Sequence, residues 1–204
     1  MTDIPEKPRI GVVLLAAGPS TRLGQPKQLV QVAGECLARR SARLALSLAP
    51  DSLTVVCGFE ADRIQAELDD LPVAIVNNLH WANGMGASIN CGVRAMPRGV
   101  QGVLIMVCDQ WRLEAGDLQR LYSAWSTDIS RINVASWKEG SAYVSGPPVI
   151  FPRTLIPELK SMQESRGARQ LIDRYMELVE FVEMENAAFD LDRPEDLERL
   201  RDQG

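Results

Sequence analysis

Hydrophobic residues recur along the first 125 positions in two alternating patterns, one typical of strands and one typical of helices. Four short runs are almost unbroken, as expected for strands that are covered on both faces of a sheet, and they lie at residues 10–16, 53–57, 73–76 and 103–108. Between them, apolar residues have helical spacing at residues 36–48, 61–68 and 86–96. The alternation predicts an α/β fold with a doubly wound, mostly parallel sheet, which binds ligands beyond the carboxyl ends of its strands.

The pattern becomes less regular after a predicted helix at residues 113–126. Residues 132–137 and 149–151 have the composition of strands, and Gly146-Pro147-Pro148 between them predicts a turn. A helix at 168–176, a strand at 179–183 and a last helix at 194–201, with Pro194 in its first turn, are also predicted.

Composition narrows the classes of protein that this chain can represent. Its 204 residues are 46% hydrophobic and contain no linker-like or repetitive segment, so we expect one domain over 1–204, with halves at 1–125 and 126–204. The net charge of −5 argues against a general nucleic-acid surface. Residues 1–9 lack the apolar core of a signal peptide, and no apolar stretch reaches the roughly 18 residues of a membrane span, which predicts a cytoplasmic protein without membrane contact.

The cysteines predict no metal or redox centre. Cys36, Cys57, Cys91 and Cys108 are scattered without a Cys-x-x-Cys pair, and His80 is the only histidine. In a reducing compartment this spacing favours buried free thiols over structural zinc or disulfides.

The loop after the first strand carries the strongest chemical signal. Residues 14–27 read Leu-Leu-Ala-Ala-Gly-Pro-Ser-Thr-Arg-Leu-Gly-Gln-Pro-Lys. Small residues let the backbone approach a ligand closely, and their N–H groups can converge on phosphate oxygens. Arg22 adds a planar fork of donors and Lys27 a movable point charge, so the loop predicts a triphosphate site.

Three better-known glycine motifs do not match. Five residues separate Gly18 from Gly24 and no Lys follows directly, which excludes a P-loop. Residues 84–89, Gly-Met-Gly-Ala-Ser-Ile, lack the third small residue of a dinucleotide fingerprint. Arg22 stands where a nucleophile elbow needs glycine.

Residues 15–27 do match the pattern Leu-Ala-Ala-Gly-x-Ser-x-Arg-x-Gly-x-x-Lys, which resembles the signature loop of nucleotidyltransferases acting on small phosphorylated acceptors. From about residue 10 to about residue 200, the chain is most similar to the molybdenum cofactor cytidylyltransferases. The resemblance implies a Rossmann-like fold of the nucleotide-diphospho-sugar transferase type, with CTP as donor. GTP is the rival donor, although Ala17 stands where the guanylyl branch usually carries glycine.

The resemblance also assigns roles within the NTP-binding half. It implies that Arg22 and Lys27 are catalytic. The implied nucleotide-binding residues are Leu15, Ala16, Ala17, Gly18, Ser20, Gly24, Asn77 and Ser88. Gly58 joins them because it directly follows a predicted strand, at the edge of the sheet where ligands bind.

Two acidic segments resemble the family's metal ligands. Asp109-Gln110 follows the predicted strand at 103–108 and resembles an Asp-Gln-Pro motif, with Trp111 in place of proline. Residues 190–197 resemble Asp-Ile-Asp-Thr-Pro-Glu-Asp-Leu. The resemblance implies a catalytic, metal-binding Asp109 and a second ligand for Mg²⁺ or Mn²⁺ in Asp192, ahead of Asp190. Capping of the helix at Pro194 is the structural alternative for Asp192.

The acceptor side is less completely matched. Gly146 and Pro148 fit the family's Gly-x-Pro, and Gly167 and Arg169 keep half of its Gly-Asp-x-Gly-Ala-Arg. The resemblance implies that these four residues bind the molybdenum cofactor and that a molybdenum hydroxylase apoenzyme is a possible recipient. The missing Gly-Asp leaves the acceptor open. Alternatives are another small phosphorylated acceptor, a pyridine-nucleotide-dependent reductase and a non-catalytic cofactor carrier.

Overall fold

The computed structural model describes residues 7–201. The strands there are β1 (Ile10–Ala16), β2 (Gln31–Val32), β3 (Glu35–Cys36), β4 (Ser52–Cys57), β5 (Ala74–Asn77), β6 (Gly102–Val107), β7 (Ile132–Glu139), β8 (Ala142–Pro152) and β9 (Val179–Glu183). The α-helices are α1 (Leu37–Leu46), α2 (Ala61–Ala66), α3 (Met85–Ala95), α4 (Ala115–Thr127), α5 (Ile156–Lys160), α6 (Arg169–Arg174) and α7 (Pro194–Arg201).

Seven strands form the central sheet, in the order β5-β4-β1-β6-β8-β7-β9. Parallel pairs join β5 to β4, β4 to β1, β1 to β6 and β7 to β9, while β8 is antiparallel to both β6 and β7. The expectation of a doubly wound, mostly parallel sheet is therefore confirmed. The carboxyl ends of β1, β4, β5 and β6 lie along one edge, where ligands bind in such sheets.

Alternate residues of β1 enter two hydrophobic cores on opposite faces of the sheet. Val12 and Leu14 pack with residues of α1, α2 and α4, whereas Val13 and Leu15 pack with residues of α3, α5 and α6. Because both faces are covered, β1 is apolar throughout and all seven of its residues are buried.

The predicted turn at Gly146-Pro147-Pro148 is wrong. These residues lie within β8, and the hairpin turn falls earlier, where Gly140 has a φ of +62°. The register of β7 against β8 shifts between Val134 and Ala135, so the two prolines have no partner residue in the ladder. A bulge accommodates proline because it requires no N–H from that position.

Several element boundaries also differ from the predictions. A two-stranded hairpin of β2 and β3 precedes α1, which begins at Leu37 instead of position 36. The short helix α5 was not predicted, and α6 covers only the middle of the helix expected at 168–176. Within residues 7–201, no helix has the length and apolar character needed to cross a membrane.

Candidate active site

The loop between β1 and Lys27 is held in place by Gln28. This side chain is almost fully buried, and its Nε2 donates to the carbonyl oxygens of Ala16 at 3.1 Å and Gly18 at 2.7 Å. The backbone N–H of Lys27 donates to Ser20 Oγ at 3.1 Å, which closes the loop on itself. Gly24 has a φ of +75°, a conformation that favours glycine. These contacts place Lys27 at the carboxyl end of β1.

Charged groups from three distant segments meet at Lys27. Its Nζ donates to the Asp109 carboxylate and, at 2.9 Å, to Asp192 Oδ1. Arg22 donates to the other carboxylate oxygen, Asp192 Oδ2, at 2.7 Å. The structure thus brings together the two predicted catalytic cations and the two predicted metal ligands.

The ionisation of these groups follows from their packing. Burial disfavours the charged form of Lys27 and would lower its pKa. The attraction of the Asp109 carboxylate and the hydrogen bonds to Asp109 and Asp192 are together stronger than this effect, so the pKa of Lys27 is raised. Burial likewise opposes the charge on Asp192, yet Lys27 and Arg22 hold the pKa of Asp192 below its usual value. Asp190 is exposed to solvent on one side. Desolvation by the protein on its other sides, together with repulsion from the negative charges of Asp109 and Asp192, raises the pKa of Asp190 to about 7.

Backbone pairing brings the C-terminal segment to Asp109. The N–H of Leu191 donates to the Asp109 carbonyl at 3.0 Å, and the N–H of Trp111 donates to the Phe189 carbonyl at 3.2 Å. The rings of Trp111 and Phe189 meet edge to face, with centroids 6.2 Å apart. Trp111 and Leu191 also share a small hydrophobic core with Leu23 of the loop. A proline at position 111 would lack the N–H that joins these segments.

Asp192 does not act as the helix cap. Its carboxylate faces Lys27 and Arg22, whereas Asp196 Oδ2 accepts the backbone N–H groups of Asp192 and Arg193, at 3.1 and 2.9 Å. The carboxylate of Asp192 is therefore directed into the charged cluster.

One carboxylate oxygen lacks a partner. Asp109 is buried, and its Oδ1 has no hydrogen bond with any residue in the described chain. Within residues 7–201, no three His, Cys, Asp or Glu side chains are grouped closely enough to form a complete metal site. A hard cation here would thus draw on one or two carboxylates together with its ligand's oxygens and water.

A cavity of about 420 Å³ opens beside this cluster. It is lined by predicted site residues and by residues that were not predicted, among them Trp81 and Met85. The predicted residues in its wall are Leu15, Ala17, Gly18, Lys27, Ser88 and Asp109. A smaller cavity of about 230 Å³ is lined by Gly18, Ser20, Arg22, Lys27 and Asp192, with neighbouring residues of the same loop.

Four predicted nucleotide-binding residues, Ala16, Gly24, Gly58 and Asn77, do not line these cavities. The carbonyl of Ala16 accepts from Gln28. A Cβ on Gly58 would lie 2.8 Å from side-chain atoms of Trp81, so this glycine makes room for the ring that forms the cavity wall. Asn77 lines a separate cavity of about 300 Å³.

The predicted acceptor residues lie on two neighbouring segments. Arg169 donates to the Ser145 carbonyl at 3.3 Å, which links α6 to β8 beside Gly146. A Cβ on Gly167 would lie 3.6 Å from Met85 Sδ, so this residue adjoins the wall of the large cavity. The carbonyl oxygen of Pro147, the residue before Pro148, accepts a hydrogen bond from Gln110 Nε2 at 2.8 Å.

Gly84 and Gly86 allow close packing within the chain. A Cβ on Gly86 would lie 2.1 Å from the Gln163 carbonyl oxygen, and one on Gly84 would lie 2.7 Å from that of Glu164. The backbone of residues 163–166 therefore occupies the space that these glycines leave open.

The family assignment follows from the sequence match. The model of the MobA-like NTP transferase domain matches residues 12–179, and the chain belongs to this family. The expectation of a domain of the nucleotidyltransferase family is thereby confirmed.

Curated relatives carry several activities. The purine catabolism protein PucB of Bacillus subtilis is 32% identical over 168 residues, which cover 78% of each chain. Nicotine blue oxidoreductase of Paenarthrobacter nicotinovorans is 29% identical over 204 residues and 98% of each chain. Bifunctional protein GlmU of Kineococcus radiotolerans is 33% identical over 138 residues, 66% of this chain but only 28% of GlmU.

A solved structure has the same fold. Rv0371c of Mycobacterium tuberculosis superposes with a TM-score of 0.78 at 25% identity, covering 95% of this chain and 98% of that one. A further structure of Rv0371c, matched at 22% identity and a TM-score of 0.77, is a complex with manganese.

Sequence reasoning missed Gln28 and gave Trp81 no role in the cavity wall. Gln28 directly follows Lys27, and an amide side chain at that position is the sequence signal for a residue that supports the phosphate loop. For Trp81, only the contact with Gly58 shows which way the ring packs.

Proposed function

We propose that this protein transfers CMP from CTP to the phosphate of a molybdopterin-type molybdenum cofactor and releases pyrophosphate. The observation that carries the proposal is the convergence of Arg22, Lys27, Asp109 and Asp192 beside a cavity of about 420 Å³. Family membership supports nucleotidyl transfer, and the sequence resemblance supports CTP and the molybdenum cofactor.

Asp109 and Asp192 are the residues that would hold Mg²⁺ or Mn²⁺. The unpartnered, buried Oδ1 of Asp109 fits such a role, since a hard cation prefers carboxylate oxygen. The manganese complex of the structural neighbour is consistent with this assignment. When bound, the ion would neutralise phosphate charge in the transition state.

The reaction requires an oxygen of the acceptor phosphate to attack the α-phosphorus while the bond to pyrophosphate breaks. A phosphate nucleophile is already deprotonated at neutral pH, so no general base is assigned. Arg22 and Lys27 supply positive charge for the leaving pyrophosphate, and the loop held by Gln28 positions the nucleotide.

The acceptor would enter between Met85 and the segment that contains Gly167 and Arg169. Arg169 contacts Ser145 beside Gly146 on this side and is paired with Asp173 at 2.8 Å, so an anionic acceptor would share this guanidinium with the carboxylate of Asp173. An anionic acceptor fits this surface, and the molybdenum cofactor is the acceptor that we infer from the resemblance.

Pyrophosphate release decides the activity. The protein is incubated with Mg²⁺, molybdenum cofactor and each NTP in turn, and CTP and GTP are then placed in competition. We expect CTP to have the larger kcat/KM, because the Ala17 methyl narrows the cavity against a purine. An equal or greater value for GTP would replace the cytidylyl assignment, and cofactor binding without any turnover would favour a carrier.

A second candidate is a pyridine-nucleotide-dependent reductase. It is favoured by the 29% identity to nicotine blue oxidoreductase over 98% of both chains. Against it, the backbone of residues 163–166 occupies the space beside Gly84 and Gly86 that a dinucleotide would need. Saturation binding of NADPH, with oxidation that depends on an added acceptor, would establish this alternative.

A further inference from the structure

Asn78 is a buried polar residue that directly follows β5. Only 4% of its surface is exposed, and its backbone N–H donates to the Cys57 carbonyl at 2.8 Å. Its side chain makes two hydrogen bonds. Oδ1 accepts the backbone N–H of His80 at 3.0 Å, and Nδ2 donates to Ser88 Oγ at 3.0 Å.

These two bonds determine the direction of the hydrogen bonding. A backbone N–H can only donate, so His80 requires the oxygen of the Asn78 amide on its side. The amide nitrogen then faces Ser88, and the Ser88 oxygen has to accept. The hydroxyl hydrogen of Ser88 therefore has no hydrogen-bond acceptor among the residues of the described chain.

Ser88 lies in the wall of the large cavity together with Ala17 and Trp81. Only 5% of its surface is exposed, so a hydroxyl hydrogen that finds no acceptor in the protein can be satisfied only from the cavity. A ligand with an acceptor atom at this position would complete the chain of hydrogen bonds from His80 through Asn78 to Ser88.

We infer that Asn78 is a positioning residue that makes Ser88 a hydrogen-bond donor toward a carbonyl oxygen of the bound base. The inference rests on the proposed function, because it requires an NTP in the large cavity. Cytosine, uracil and guanine carry a carbonyl oxygen, whereas adenine carries none. Adenine offers only ring nitrogens, which lie one bond closer to the ring than an exocyclic oxygen, so the buried Ser88 hydroxyl would find a poorer acceptor in ATP than in CTP.

Two substitutions test the direction of the bond. In Asn78→Asp the new carboxylate still accepts the backbone N–H of His80. Because a carboxylate has no hydrogen to donate, the Ser88 hydroxyl has to donate to it and therefore turns away from the ligand. Ser88→Ala removes the donor and suits the first turn of α3. Asn90→Asp is the matched control, since Asn90 lies on the same helix and bonds to the Lys160 carbonyl outside the large cavity.

The readout is the ratio of the dissociation constants of CTP and ATP, measured by calorimetry with Mg²⁺ and without acceptor. We expect both variants to reduce the preference for CTP by about 10-fold, and the control to retain it. A modified ligand gives a second test, because the sulfur of 2-thio-CTP is a weaker acceptor than the oxygen of CTP. The parent protein should bind 2-thio-CTP less tightly than CTP, whereas Ser88→Ala should bind the two nucleotides with equal affinity.

The outcomes separate the two levels of the proposal. If the parent protein binds CTP but both variants keep its CTP preference, the role of Asn78 is overturned while the proposed function stands. If the parent protein binds no NTP, both fall together. A melting scan accompanies each variant; if Asn78→Asp does not fold, Ser88→Ala with 2-thio-CTP decides the matter.

Discussion

The ammonium group of Lys27 lies between the carboxylates of Asp109 and Asp192, with which it forms two ion pairs. Without ligand, Lys27, which we expect to bind the triphosphate, therefore neutralises Asp109 and Asp192, which we expect to bind the metal. An NTP with its metal would give each partner a replacement, since the phosphates can pair with Lys27 and the metal with the aspartates. Metal and nucleotide should consequently bind more tightly together than separately.

Lys27→Met should bind Mg²⁺ alone more tightly than the parent protein, because the ion no longer competes with the ammonium group. Its kcat/KM should fall by roughly 100-fold or more, since charge that faces the leaving group is lost. Melting curves over a Mg²⁺ titration and pyrophosphate release measure the two effects. The control is Lys138→Met, an exposed lysine over the Tyr143 ring. Identical Mg²⁺ shifts in Lys27→Met and the parent would contradict the competition.

Asp109→Asn should abolish metal-dependent turnover, because the amide keeps the shape but not the charge that holds a hard cation. Activity is measured over a series of Mg²⁺ and Mn²⁺ concentrations, with Asp62→Asn on α2 as the control. Undiminished turnover would leave Asp109 with a structural role only.

Gln28→Glu should raise the KM for the NTP by about 10-fold and lower the free energy of unfolding by about 1–3 kcal/mol. The carboxylate cannot donate to the carbonyls of Ala16 and Gly18, so the loop loses its two internal supports. Initial-rate kinetics and denaturant titration check both effects, and Gln65→Glu on the exposed side of α2 provides the comparison. A KM that stays at the parent value would show that the loop holds its shape without these bonds.

Asp190→Asn should change how stability depends on pH. Because the pKa of Asp190 is raised to about 7, the folded protein binds a proton there that the unfolded chain has already released above its ordinary carboxyl pKa. Stability from this group is therefore present at low pH and is lost as pH rises toward and through about 7. We expect Asp190→Asn to gain in Tm relative to the parent as the pH is raised from about 5 to about 8 in the presence of a chelator. A constant difference across that range would contradict the shift.

The sequence by itself determined the sheet and the phosphate loop. Unbroken apolar runs at β1, β4 and β6 reflect strands buried on both faces, and the spacing of Gly18, Arg22 and Lys27 is a local property of one segment. Such features can be predicted because neighbouring residues alone produce them.

The tertiary structure decided which groups meet. Lys27 reaches Asp109 and Asp192 across 82 and 165 positions of chain, and only the backbone pairing of residues 109–111 with 189–191 brings the two aspartates to one place. Packing likewise keeps both Asn77 and Asn78 out of the wall of the large cavity, and it gives Asn78 a contact with Ser88 that the adjacent and chemically identical Asn77 does not make. The physical reason is that hydrogen bonds and ion pairs between distant segments depend on how the elements pack, and no local pattern of residue types encodes that arrangement.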